Sequence, residues 1–129
     1  MAFSEQIVNE VWRKAKVITD YDPDVWRQDF AGAWIKREMY GTETNFGWEI
    51  DHLVPTAKGG TDNTENLVPL QWKNNRKKSD NFPEFDTAVS SDGNHYILNS
   101  ATLIFFLLFN TLSKKKLIRI LPCQIFHLT

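Results

Sequence analysis

The chain has 129 residues, of which 42% are hydrophobic and 24% charged, with a formal net charge of −1. That length fits one small domain with one site, and the single cysteine, Cys123, excludes an intrachain disulfide framework or a Cys-Cys zinc knuckle. Residues 1–92 hold 11 Lys and Arg against all 16 Asp and Glu, whereas residues 93–129 hold four basic residues and no acid. So acidic a body argues against coating nucleic acid by bulk electrostatics, although Arg76, Lys77 and Lys78 still offer local phosphate contacts. The N-terminus lacks a basic start followed by an apolar run, so no secretory signal is read and a cytoplasmic location is expected.

In chain order, Ser4 is placed to cap an amphipathic helix of about three turns, with Ile7, Val8, Val11, Trp12 and Ala15 on one face. Asp22-Pro23 joins a capping side chain to a proline suited to a first helical position, which predicts a short helix or a turn. "AGAWIKREMYG" reads as strand or helix and stops at Gly41; "TETNFG" reads as loop. "WEIDHLV" alternates and is rich in β-formers, predicting a strand that ends near Val54-Pro55. "TAKGGTDNTEN" is loop, "LVPL" a second strand, and "QWKNNRKKSD" a helix to about Asp80, where "NFP" stops it. Trp12 and Trp48 are expected in the core.

From residue 96 the composition changes. Tyr96 to Leu112 is a run of 17 uncharged residues, at the lower limit for a membrane span, diluted by Asn99, Ser100, Thr102, Asn110 and Thr111. Three readings stand: a core or docking helix, a membrane anchor with Lys114 to Lys116 on the cytoplasmic face, or a shifted or extended reading frame with no selected structure. The expected division is a domain over residues 1–95 and an apolar, basic tail over residues 96–129.

The chemistry gathers between residues 46 and 83. Asp51-His52 closes a predicted strand, Asn66 follows 14 residues later, and Asn75 stands nine further on in the predicted helix. Phosphodiester hydrolysis needs a nucleophilic water and stabilisation of charge on the phosphate and the leaving oxygen. A carboxylate and an amide oxygen form a hard-oxygen half-site suited to Mg²⁺ or Mn²⁺, which keep several waters and accept phosphate oxygens. Asp51 and Asn75 are the candidates for that pair. His52 points to the opposite face of its strand, and a neutral imidazole there serves as a general base. Lys78, three residues beyond Asn75, shares its helix face and is the candidate for a phosphate contact, whereas Arg76 points elsewhere.

The whole pattern, D-H-x13-N-x8-N followed by R-x-K, resembles the HNH nuclease motif and is similar in spacing to the HNH domain of RNA-guided CRISPR nucleases. Residues 5 to 95 also resemble small stand-alone bacterial HNH proteins with a Trp-Glu-Ile-Asp-His element. The resemblance implies an α+β fold with a ββα-metal (HNH / His-Me finger) core and N-terminal helices packed on it. It implies an endonuclease that hydrolyses DNA with one divalent metal, Mg²⁺ or Mn²⁺, and in which Asn66 orients His52 and fixes the loop. Many HNH motifs carry a His where this chain has Asn74 or Asn75. The Asn-Arg-x-Lys order favours Asn75 as the ligand, with Asn74 as the alternative. Two other functions remain open, a non-cleaving nucleic-acid-binding module and a membrane-tethered nuclease effector. The acidic body adds an expected protein partner that supplies DNA affinity.

Overall fold

A computed structural model describes the backbone of residues 2–92, 95–98 and 102–104, and the side chains of residues 2–91. Helix α1 (Glu5–Trp12) starts where expected, with Ser4 Oγ accepting from the Ile7 amide at 3.3 Å. It is one turn shorter than expected. The Lys14 and Ala15 amides bond back only three residues, to the Val11 and Trp12 carbonyls, which tightens the end and turns the chain outward.

Three short strands follow, β1 (Lys16–Val17), β2 (Trp26–Gln28) and β3 (Trp34–Lys36), in one antiparallel sheet of that order. Asp22-Pro23 forms a turn rather than a helix: Asp22 Oδ1 accepts from the Asp24 amide at 2.9 Å, and the Asp22 carbonyl accepts from Val25 and Trp26. The ambiguous segment contains both forms, β3 and then a 3₁₀ turn over Arg37–Met39, before Gly41 at φ 75°.

Strands β4 (Trp48–His52) and β5 (Leu67–Gln71) pair antiparallel, with Asp51 opposite Val68 and His52 opposite Leu67. Helix α2 (Trp72–Lys78) begins directly after β5, where the Gln71 side chain accepts from the Lys73 and Asn74 amides at 2.7 and 3.4 Å. It ends two residues before Asp80, because Ser79 takes φ 50°, outside the helical region. The strand, loop, strand and helix expected between residues 46 and 83 are all present.

Alternation along β4 divides the finger into two faces. Trp48 and Ile50 join the core with Val8, Val11, Trp12, Ala15, Ile35 and Leu67, while Glu49 and Asp51 fall on the other face. Trp48 is fully buried, its indole 5.3 Å from that of Trp12 and its Nε1 donating to the Lys36 carbonyl at 3.0 Å. Burial of such a side chain contributes roughly 2–3 kcal/mol, and the satisfied N–H avoids the cost of a buried orphan donor. β5 is buried at every position and contacts both helices, α1 and α2.

Beyond α2, β6 (Glu84–Asp86) pairs with β9 (Thr102–Ile104), and β7 (Val89–Asp92) with β8 (His95–Leu98). The described residues thus form an α+β fold of two α-helices and antiparallel sheets. Where the apolar tail is described, at residues 95–98 and 102–104, it is strand and not helix. Residues 105–129, including Lys114 to Lys116, lie outside the described residues. Among the described residues, no helix is long and apolar enough to cross a membrane.

Candidate active site

Asp51 and His52, adjacent at the end of β4, meet different surroundings. The Asp51 carboxylate lies under α2, with Oδ2 3.0 Å from Lys78 Nζ. That contact is a buried charge pair, and Oδ2 has no hydrogen-bond donor on it besides that ammonium. Burial pushes the Asp51 carboxyl up to about 6, against the opposing pull of the Lys78 ammonium. Lys78 was expected to reach a phosphate. Its side chain is instead fully buried, its ammonium donating to the His52 carbonyl at 3.1 Å and lying 5.4 Å from the Phe85 ring centre. The exposed cations of this helix turn are Arg76 and Lys77, with Arg76 stacked 4.8 Å over Trp72 and paired with Glu43 at 2.6 Å.

His52 is partly exposed on the opposite face, 6.2 Å from the Phe3 ring centre, with Nε2 2.6 Å from Asp62 Oδ1. Asn66 does not bond to His52 in this arrangement. Its amide closes the loop between β4 and β5, accepting from the Val54 N–H at 2.8 Å and donating to the Val54 and Thr61 carbonyls at 3.0 and 2.9 Å.

The two consecutive asparagines of α2 part company. Asn74 is fully buried: its oxygen accepts from the Ala88 and Val89 amides, both at 2.8 Å, and its nitrogen donates to Asp29 Oδ2 at 2.9 Å and Val89 O at 3.0 Å. Every hydrogen-bonding capacity of that amide is spent on the protein, which leaves nothing for a ligand. Asn75 is half-buried and donates to Glu49 Oε1 at 3.2 Å. A carboxylate only accepts, so the Asn75 nitrogen faces Glu49, and among the described residues its side-chain oxygen accepts no hydrogen bond. The helix-propensity cost of two asparagines therefore has two reasons, one of them structural.

Sequence reasoning missed Asp29. This buried carboxylate accepts four hydrogen bonds at 2.9 Å, from the Ala31, Ala33 and Gln71 amides and from Asn74 Nδ2. It ties the β2–β3 hairpin to the junction of β5 and α2. Burial still pushes it up to about 6, since the bonds offset only part of the desolvation. No spacing signal joins Asp29 to partners more than 40 residues away.

The donor set fits a hard divalent cation. It offers a buried carboxylate oxygen that faces only the Lys78 ammonium, an amide oxygen from Asn75, and Glu49 on the same face of β4 as Asp51. Among the described residues, no cluster of three or more His, Cys, Asp or Glu side chains is set to hold a metal. Such a site suits an ion that keeps its waters and takes phosphate oxygens rather than one held in an all-protein cage.

Residues 31–84 match the family model described as HNH endonuclease, and the match spans β3, β4, β5 and α2. Over this segment, 54 of the 129 residues, the chain is similar to the HNH endonuclease family. No curated protein and no solved structure matches the chain. In the HNH segment, Asp51, His52, Asn66, Asn75 and Lys78 all lie on the two strands, their connecting loop and the helix that follows.

Proposed function

We propose that this protein is a metal-dependent endonuclease that hydrolyses DNA phosphodiester bonds. The observation that carries the reading is the parting of Asp51 and His52 at the end of β4, one buried under α2 with only the Lys78 ammonium on Oδ2, the other partly exposed. Asp51 and Asn75 would hold one Mg²⁺ or Mn²⁺, which when bound stabilises negative charge on the phosphate and the leaving oxygen. His52 takes the proton from the attacking water, its ring lying on the face of β4 opposite Asp51 and partly exposed because it closes the strand. Asn66 holds the loop that walls this side of the site. Lys78 serves by holding the Asp51 carboxylate and the His52 carbonyl in place, and not by touching substrate.

The excess of acid over base in residues 1–92 supports a protein partner that contributes DNA affinity. The test is plasmid cleavage by the full chain with Mg²⁺, Mn²⁺ or EDTA, beside His52→Ala and Asn75→Ala. Metal-dependent nicking or linearisation is expected, lost in EDTA, and His52→Ala should lower turnover at least ~10²-fold while the fold persists. DNA retention without divalent metal and without cutting would replace the proposal with a non-cleaving binding module.

A further inference from the structure

The loop between β4 and β5 is built to deliver one side chain to His52. Its two ends are locked together, with the Leu53 amide donating to the Asn66 carbonyl at 2.8 Å and the Asn66 side chain bonding both sides of Val54. The middle is pulled inward by Asn66 Nδ2 on the Thr61 carbonyl at 2.9 Å. Gly59 takes φ 90°, and a Cβ at Gly60 would stand 1.7 Å from the Val54 oxygen and 2.9 Å from Asn66 Nδ2. Only glycine allows so close a fold-back. Lys14 fastens the far side, its ammonium donating to the Thr64 carbonyl and to the Leu67 carbonyl. The residue after Thr61 is Asp62, whose carboxylate reaches His52 Nε2 at 2.6 Å while the side chain itself is 81% exposed.

An exposed pair of long side chains contributes little, because holding it costs as much entropy as the contact returns. Asp62 differs in that its backbone is already fixed by Asn66 and Gly60, leaving only a short side chain to order. We propose that Asp62 is the positioning residue of His52: it fixes the Nε2–H tautomer and leaves Nδ1 with the lone pair. A carboxylate accepts and never donates, so the nitrogen facing it carries the hydrogen of the neutral ring. Asn66 then orients His52 at one remove, through Thr61 and Asp62. The catalytic part of this assignment rests on the nuclease reading above; the tautomer part does not.

The experiment is a long-range ¹H–¹⁵N correlation spectrum of the imidazoles in the full chain, at a pH where the rings are neutral. The signals of His52, one of three histidines, are assigned with His52→Ala. Wild type should show the Nε2–H form, and Asp62→Ala should move His52 to a mixture of tautomers. Asp62→Glu, which keeps an acceptor-only carboxylate, should restore the wild-type pattern, whereas Asp62→Asn, whose amide can also donate to the ring, should not hold one tautomer. In the cleavage assay kcat should fall about tenfold or more in Asp62→Ala with KM unchanged, in line with the loss of a carboxylate that orients a working histidine. An unchanged tautomer in Asp62→Ala overturns the proposal, and so does a shifted tautomer with unchanged kcat. If wild type cuts no DNA with either metal, the nuclease reading falls, and the spectra still decide whether Asp62 sets the His52 tautomer.

Discussion

Replacement of Asp29 by alanine is expected to destabilise the fold by about 3 to 5 kcal/mol, read as a lower urea midpoint. Three of the four donors it satisfies are buried, the Ala33 and Gln71 amides and Asn74 Nδ2. Each buried donor left without a partner costs about 1–3 kcal/mol, and entry of water into the vacated space returns part of that. Against a net stability of roughly 5–15 kcal/mol for a domain, the loss is a large fraction. Asp29→Asn should also destabilise, because its NH₂ would face an N–H where Asp29 presents an oxygen. A change below about 1 kcal/mol in the alanine variant would show that these bonds do not hold the finger to the hairpin. The pH dependence has a fixed sign. The folded carboxyl titrates near 6, above its ordinary 3.8, so the folded state binds the proton more tightly between those values. The contribution of Asp29 is therefore fully present below pH about 4 and falls by about 3 kcal/mol as pH rises through 6. Comparison of wild type with Asp29→Asn across that range isolates it.

Lys78→Met is the second large effect. The substitution keeps length and apolar bulk but removes the cation 3.0 Å from Asp51 Oδ2. A buried carboxylate without its partner costs about 3–5 kcal/mol at neutral pH. Asp51 lightens that cost by taking a proton, so the variant should be least impaired at low pH and lose stability relative to wild type as pH rises past 6. Under the nuclease reading, Mg²⁺ or Mn²⁺ can replace the missing charge. Either ion should raise Tm more in Lys78→Met than in wild type, where the ammonium competes for the same oxygen. Equal metal-induced shifts would remove Asp51 from the metal site.

The finger from β4 to α2 was legible because its signals are local. "WEIDHLV" alternates over a whole strand, "LVPL" follows a Gly-rich loop, and Asp51, His52, Asn66 and Asn75 stand at fixed intervals. β1 and β2 were not legible, since strands of two and three residues are too short for a period to register. Nor was the parting of Asn74 and Asn75: both sit on one helix, and only the packing of α2 against Asp29 decides which faces inward. In the sequence, Lys78 reads as a phosphate contact because it shares a helix face with Asn75. Its partner, Asp51, is 27 positions away and reverses that expectation only when the helix has docked on β4.

The knot of hydrogen bonds around Asn74 has a consequence for how the protein comes to be folded. Its bonds span 45 residues to Asp29 and 15 to Val89, and Asp29 reaches 42 residues to Gln71. Contacts of such sequence separation form late and slowly, since chain closure must precede any return from them. Asp29 stands just before the first residue of the HNH match, and Val89 beyond its last. A fragment cut to residues 31–84 would carry every motif residue and neither anchor. The stretch that can be recognised and the stretch that folds cooperatively have different boundaries in this chain.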